Sequence, residues 1–246
     1  MLFQIFKVAY KAFSKSFRYI ILISLFVNIP RNAIIAWIPD AWLMPINMLF
    51  QMELQELLTA MIPVRIVMYI LWIIFDPLII AAFAYIALQW FAKEEVELPG
   101  ILDNTLQKWP SLIITAFLFH SLMMLGTMFF IIPGLYIMIV FTFYAVVVID
   151  RGKWGFPALV ESFRVVKGNF FRTLLVLAIT SALVAAFNTL ITYSRYFDSD
   201  FANRIANVLM LTLRDTYTGY FTMVLVMYYF YLTKTKEDFN AAEESK

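Results

Sequence analysis

The sequence predicts an all-α, polytopic membrane protein with six transmembrane helices. The 246 residues are 63% hydrophobic and only 15% charged, and the mean hydropathy is +0.80. Ordinary soluble domains are about 45–50% apolar and about 25% charged. A soluble fold of this length has too little interior for so much apolar surface, so the excess must face lipid. Two further observations are six long apolar stretches and an uneven distribution of Lys and Arg.

The six apolar stretches give the predicted spans. A membrane helix needs about 20 mostly apolar residues. The stretches cover residues 19–38, 64–91, 111–132, 134–149, 170–193 and 208–232. Pro133 and Gly134 alone join the third and fourth spans, which predicts a tight hairpin.

The basic residues give the orientation. Fourteen of the nineteen Lys and Arg fall on one side of the predicted spans. They are Lys7, Lys11, Lys15, Arg18, Lys93, Lys108, Arg151, Lys153, Arg164, Lys167, Arg172, Lys234, Lys236 and Lys246. The positive-inside rule then places both termini in the cytoplasm. The basic N-terminus followed by an apolar run is similar to a signal peptide, but no small-residue cleavage site follows, which indicates an uncleaved signal-anchor.

Three short stretches on the cytoplasmic side are predicted to be amphipathic helices. They cover residues 8–17, 99–108 and 157–167, and each precedes a span. Such helices are expected to lie on the inner leaflet and contact anionic lipids. We therefore interpret residues 1–236 as one transmembrane domain with three repeats, 1–92, 93–150 and 151–236, and 237–246 as a polar cytoplasmic tail. Alternatively, these stretches are amphipathic only because each re-enters the bilayer.

One region resembles a known family. Ile132-Pro133-Gly134, an apolar run to Asp150 and then residues 158–172 are similar to the signature of YciC-like bacterial inner-membrane proteins. These are related to the membrane domain of some glycerophosphodiester phosphodiesterases. Asp76-Pro77-Leu78 and residues 228–232 are similar in placement. The resemblance implies a helical protein of the bacterial inner membrane. The family is largely of unknown function, and the catalytic domain's metal-binding residues have no counterpart here, so no active site follows.

Charged residues inside the predicted spans are the best indication of function. Arg31, Asp76, Arg214 and Asp215 lie on three spans. At 1.5 Å per residue, all four lie roughly 20–26 Å from the cytoplasmic ends of their helices. A charge at the bilayer centre costs about 2.5–3.5 kcal/mol. We hypothesise that the four line one outer polar pocket for a ligand or gate. The alternatives are ion pairs that only hold the bundle together and arginines that extend to the outer interface.

Other polar and sulfur-containing residues are weaker candidates. Asn28, Asn188 and His120 are expected beside or below the pocket, with His120 at a depth that allows pairing with Asp76. Pro77 is expected to kink the second span, which suits a gate and equally suits a bend around neighbouring helices. Met44, Met48 and Met52 recur with a spacing of four residues. Such a stripe suits Cu(I) but is more often apolar filling.

The composition excludes several classes of function. There is no cysteine and one histidine, so disulfides, thiolate chemistry, iron–sulfur clusters and Cys or paired-His zinc sites are excluded. A net charge of +2 gives no reason to expect nucleic acid. No phosphate-binding loop, HExxH or GxSxG motif occurs. We therefore expect no cofactor and no enzyme activity.

Two functional interpretations remain. The first is a non-catalytic inner-membrane protein for envelope maintenance, or a partner of a membrane complex or of a second copy. The second is a small transporter or channel that uses the polar pocket.

Overall fold

The computed structural model describes residues 2–36, 62–94, 96–192 and 200–234, and the regular structure of these residues is entirely helical. Residues 37–61, which include Met44, Met48 and Met52, lie outside the described residues. The helices in chain order are α1 (Leu2–Lys15), α2 (Phe17–Ala36), α3 (Ile62–Ala92), α4 (Leu98–Gln107), α5 (Trp109–Phe129), α6 (Ile131–Val140), α7 (Tyr144–Arg151), α8 (Phe156–Lys167), α9 (Phe170–Thr192) and α10 (Asp200–Thr233).

Several helices are long and apolar enough to cross a membrane, as the sequence predicts. Four stretches qualify within the described part of the chain: Phe17–Ile35, Ile66–Ala92, Trp109–Phe129 and Ile131–Arg151. A fifth qualifies if α8 and α9, which meet at a 99° bend, form one broken span. The number is therefore four or five on length and composition. The sixth predicted span corresponds to α10, which is less apolar than the other long helices because it carries charges, tyrosines and threonines.

A short helix directly followed by a long one occurs three times in the described chain. The break between them is one residue at Ser16 and at Lys108, and two residues at 168–169. In α1 the apolar face is covered by protein: Ile5, Val8, Ala9 and Ala12 are fully buried. Phe13 meets Tyr220 of α10 edge to face, and the Tyr220 hydroxyl donates to the Phe6 carbonyl. One side of α1 is therefore covered by protein, whereas Phe3 and Tyr10 are 80% and 63% exposed.

The hairpin between α5 and α6 is tight, but the turn is not at Pro133-Gly134. The chain reverses at Phe130, whose backbone is extended, while Pro133 and Gly134 lie in the first turn of α6. Proline is tolerated there because a first-turn N–H has no helical acceptor. The helices touch at two glycines: a Cβ added to Gly126 would lie 3.1 Å from the Gly134 backbone. Small residues allow membrane helices to approach this closely.

The tip of this hairpin is exposed and wholly apolar. Residues 128–132 are 73–81% exposed, and no Asp, Glu, Lys or Arg occurs between Trp109 and Ile149. Nothing in this stretch anchors the tip to water by charge.

The fourth predicted span is broken, contrary to the continuous helix expected over residues 134–149. It consists of α6 and α7, separated at residues 141–143. Ser162 of α8 occupies the break: its hydroxyl accepts from the Phe143 N–H at 3.1 Å and donates to the Val140 carbonyl at 3.0 Å. These bonds satisfy backbone groups that the interruption leaves without helical partners. Beyond the break, Tyr144 through Ile149 are all buried, so α7 is a core helix.

Candidate functional site

Arg31 joins three helices in the interior of the bundle. Its Nη1 lies 2.6 Å from Asp76 Oδ1 of α3, and its Nη2 contacts Asp215 Oδ2 of α10. The Arg31 side chain is only 9% exposed, so one guanidinium is shared between two carboxylates away from bulk water. Charge-assisted bonds of this kind are stronger than neutral ones. The three helices α2, α3 and α10 are thereby fixed to one another by a single side chain.

The Asp215 carboxylate accepts four hydrogen bonds in this cluster, from Arg31, Asn32 and Arg214. Asn32 Nδ2 donates to Asp215 Oδ2 at 2.9 Å and lies 3.3 Å from Thr212 Oγ1. Arg214 donates to Asp215 Oδ1 from both Nε and Nη2 at 3.1 Å. Asn32 was not among the predicted residues, although it is adjacent to Arg31 and four residues from Asn28. Two arginines and two aspartates give the cluster no net charge, which lowers the cost of holding it inside a membrane.

The four predicted charges converge on one cavity of about 430 Å³. One wall is polar and includes Thr218 and Thr222 of α10 beside the charged cluster. The lining also includes seven apolar side chains from α2, α3 and α9, of which Trp72 is the largest. From Asp215 to Thr222 the cavity follows α10 for about 10 Å. The arrangement suits a small solute with a polar group and an apolar part.

Two of the four charges present free surface to this cavity. The side chains of Asp76 and Arg214 are 28% and 38% exposed, whereas those of Arg31 and Asp215 are 9% and 10% exposed. The inner pair is therefore enclosed. A ligand would meet a carboxylate and a guanidinium at the rim, one of each sign.

Pro77 interrupts the backbone hydrogen bonding of α3 directly after Asp76. Proline has no N–H, so the carbonyl four residues earlier, that of Ile73, has no helical donor. The next carbonyl, that of Ile74, accepts a hydrogen bond from the indole of Trp109 at 3.0 Å. The start of α5 is thus tied to α3 next to Pro77 and the cavity.

His120 does not belong to this cluster, although the sequence places it at a suitable depth for pairing with Asp76. Its Nδ1 donates to the Ala116 carbonyl at 2.8 Å, because a carbonyl can only accept. Its ring packs edge-on against Tyr69, Trp72 and Phe119, with centroids 4.8–5.7 Å apart. His120 is buried and reaches the cavity only through the shared contact with Trp72.

Of the two predicted asparagines, the structure describes the side chain of Asn28 but not that of Asn188. Asn28 is fully buried, and neither its Oδ1 nor its Nδ2 has a hydrogen-bond partner in the described chain. Asn188 lies in α9, but its side chain lies outside the described residues.

No group of three or more His, Asp or Glu in the described residues is placed to hold a metal ion.

A second charged cluster lies where α7 meets α8. Glu161 contacts Arg151, and its Oε2 lies 2.6 Å from Lys153 Nζ and 3.4 Å from Arg164 Nη1. The hydrogen bond from Lys153 and the neighbouring cations lower the pKa of Glu161 below its ordinary value. The sequence indicated no such role for Glu161.

Comparison of the chain with protein-family models, with curated proteins and with solved structures gives no match.

Proposed function

We propose that this chain is a non-catalytic bacterial inner-membrane protein with six spans, whose cavity binds and transports a small polar solute. The resemblance to YciC-like proteins supports the location, and the positive-inside rule supports cytoplasmic termini. In this proposal α9 and α10 are the fifth and sixth spans. Their 23 and 34 residues correspond to about 35 and 51 Å, enough for a hydrocarbon core of about 30 Å.

The threefold repeat is part of the same proposal. Each unit would consist of a short helix, a long helix after a brief break, and a returning helix. The three short-then-long pairs α1–α2, α4–α5 and α8–α9 support this interpretation. A parallel repeat of this kind is built around an axis normal to the membrane.

One observation carries the transport proposal: the intramembrane charges surround a cavity. Ion pairs that only hold helices together are best packed closely, because a polar void adds nothing to stability. Here Asp76 and Arg214 keep a free face toward 430 Å³ of open space. Charged residues that line such a cavity within membrane helices typically mark a solute pathway.

The charge balance indicates the class of solute. A cluster of two cations and two anions attracts neither a simple cation nor a simple anion over long distances. It fits a zwitterion, which meets a carboxylate with its cation and a guanidinium with its anion. When such a solute contacts Asp76, the link between Arg31 and α3 weakens, while Arg31 stays bound to Asp215. This would allow α3, which lacks one backbone hydrogen bond at Pro77, to move relative to α2 and α10.

The test compares Asp76→Asn with Asp103→Asn, a matched change at an exposed carboxylate of α4. Purified protein in nanodiscs is mixed with a panel of zwitterionic amino acids, and thermal unfolding is recorded. At a hundred times its Kd, a ligand stabilises by about 2.7 kcal/mol, which raises Tm by roughly 5–10 °C. We expect such a rise in wild type and Asp103→Asn, and none in Asp76→Asn.

The opposite outcome would support a purely structural role. In that case no panel member shifts the wild-type Tm, while Asp76→Asn lowers the basal Tm. Uptake of a positive panel member into proteoliposomes then separates transport from binding alone.

A further inference from the structure

The middle of α2 carries a polar strip from Ser24 to Asn32 that is completely buried. Ile20, Ser24, Asn28 and Asn32 recur every fourth residue, and each is 0% exposed. Residues four apart share a helix face. Both ends of this face contact α10. Asn32 hydrogen-bonds Thr212 and Asp215, and a Cβ built on Gly219 would lie 4.0 Å from Ile20 Cγ2.

Ser24 and Asn28 lie on α2 between those two contacts. On α10 the contacts fall at Thr212, Asp215 and Gly219, and Asp215 and Gly219 also line the cavity. The buried polar stretch of α2 is thus flanked by contacts with the helix that supplies four of the six polar residues lining the cavity. Counting along α2 from Arg31, Asn28 and Ser24 lie about 4 and 10 Å nearer the start of the helix.

The polar atoms of this pair have no partners in the described chain. Ser24 Oγ, Asn28 Oδ1 and Asn28 Nδ2 are buried without a hydrogen bond. Most buried side-chain polar atoms are hydrogen-bonded, and an amide offers two donors and one acceptor with two lone pairs. Inside a bilayer no bulk water reaches such groups from the lipid side. Buried waters typically make about three hydrogen bonds to groups of this kind.

We propose that Ser24 and Asn28 form an inner polar site that holds water and continues the cavity toward the start of α2, between α2 and α10. The proposal that this site holds water does not depend on transport. The proposal that it forms the inner half of a solute pathway rests on the proposed function. Neighbouring buried positions on α2 are apolar, since Ile23 and Val27 are 2% and 6% exposed. The polar pair is therefore a local feature of one face.

The absence of cysteine in the chain makes the site directly testable. Four single-cysteine variants are compared in intact bilayers: Ser24→Cys, Asn28→Cys, and the controls Ile23→Cys and Val27→Cys at matching depths. Modification by N-ethylmaleimide is followed by mass spectrometry. Only the thiolate reacts, and an apolar, dry environment raises the thiol pKa. A difference of one pKa unit changes the thiolate fraction about tenfold.

We expect the Ser24→Cys and Asn28→Cys thiols to react at least about tenfold faster than the two controls. Equal, slow reaction of all four would show a dry interface and overturn the proposal. Equal, fast reaction of all four would also overturn it, because access would then come from general opening of α2. Ser24→Cys is nearly isosteric, so it keeps the test decisive if Asn28→Cys does not fold. Because no solute is used, failure here is distinguishable from failure of the zwitterion binding test.

Discussion

The two charged clusters are inverses of each other. At the cavity, one base, Arg31, lies between two acids; at the junction of α7 and α8, one acid, Glu161, lies among three bases. The central side chains are equally buried, at 9% and 8% exposure. Their partners differ: those of Glu161 are 33–67% exposed, whereas those of Arg31 are 28% exposed at Asp76 and 10% exposed at Asp215.

Because of this difference in the exposure of the partners, the Arg31 cluster is the less hydrated of the two and the Glu161 cluster the more hydrated. The cations around Glu161 keep contact with water, so the ion pairs there are screened and each contributes modestly. The partners of Arg31 are less exposed, and Asp215 has little access to water, so the charges of Arg31 and Asp215 in particular depend on one another. Comparable burial of the central residue therefore does not imply comparable energetics. The first cluster is suited to respond to a ligand, and the second to fix the loop between α7 and α8.

The largest loss of stability is expected from Arg31→Met. The change leaves Asp76 and Asp215 as neighbouring buried carboxylates without their common cation. Removing one partner of a buried pair costs about 3–5 kcal/mol, so Tm should fall by roughly 6–20 °C. Thermal unfolding in detergent, followed by circular dichroism, gives the measurement. The triple variant Arg31→Met, Asp76→Asn, Asp215→Asn is the control and should recover part of the loss. If Tm falls equally in the single and triple variants, the two carboxylates are hydrated, and the proposed difference between the two clusters is wrong.

A smaller loss of stability is expected from Glu161→Gln. The amide keeps the shape and one acceptor oxygen but loses the attraction of three cations. Because those cations are partly hydrated, we expect a loss of about 1–2 kcal/mol, or roughly 2–8 °C in Tm. The same unfolding measurement applies. A loss as large as that of Arg31→Met would show that both centres are equally desolvated.

The smallest effect is a pH dependence confined to the Glu161 cluster. The pKa of Glu161 is lower in the folded protein than its ordinary value of 4.5. Its contribution to stability is therefore complete above pH 4.5 and is lost as the pH falls through the folded pKa. The Tm difference between wild type and Glu161→Gln should be constant from pH 7 to about 5 and shrink below about 4.5. A difference that persists unchanged at pH 3 would contradict this.

The cavity cluster could be anticipated from the sequence because the physics of the bilayer leaves few alternatives. Arg31, Asp76, Arg214 and Asp215 lie within apolar helices, where charges avoid lipid and seek one another. Their shared depth follows from residue counting alone. The role of Asn32 is less visible, since an amide beside an arginine carries no pattern of its own.

Other features depend on contacts that residue counting does not reveal. His120 has a depth close to that of Asp76, but depth does not give the direction in which a side chain points around its helix. The break at residues 141–143 depends on Ser162, about twenty positions later. Glu161 belongs to a helix whose pattern predicts a membrane-surface segment. The count of six spans stays a prediction, since four or five stretches of the described residues are long and apolar enough, and α10 mixes charges and tyrosines into its apolar sequence.

The apolar tip of the α5–α6 hairpin has a mechanical consequence. Helices with charged outer ends resist vertical displacement, because moving a charge into hydrocarbon is costly. The exposed residues 128–132 impose no such restraint. In a thicker bilayer this hairpin can remain below the membrane surface at little cost, while the α2–α3–α10 assembly keeps its own register through Arg31. The protein therefore combines an element that tolerates variation in membrane thickness with one that fixes its position.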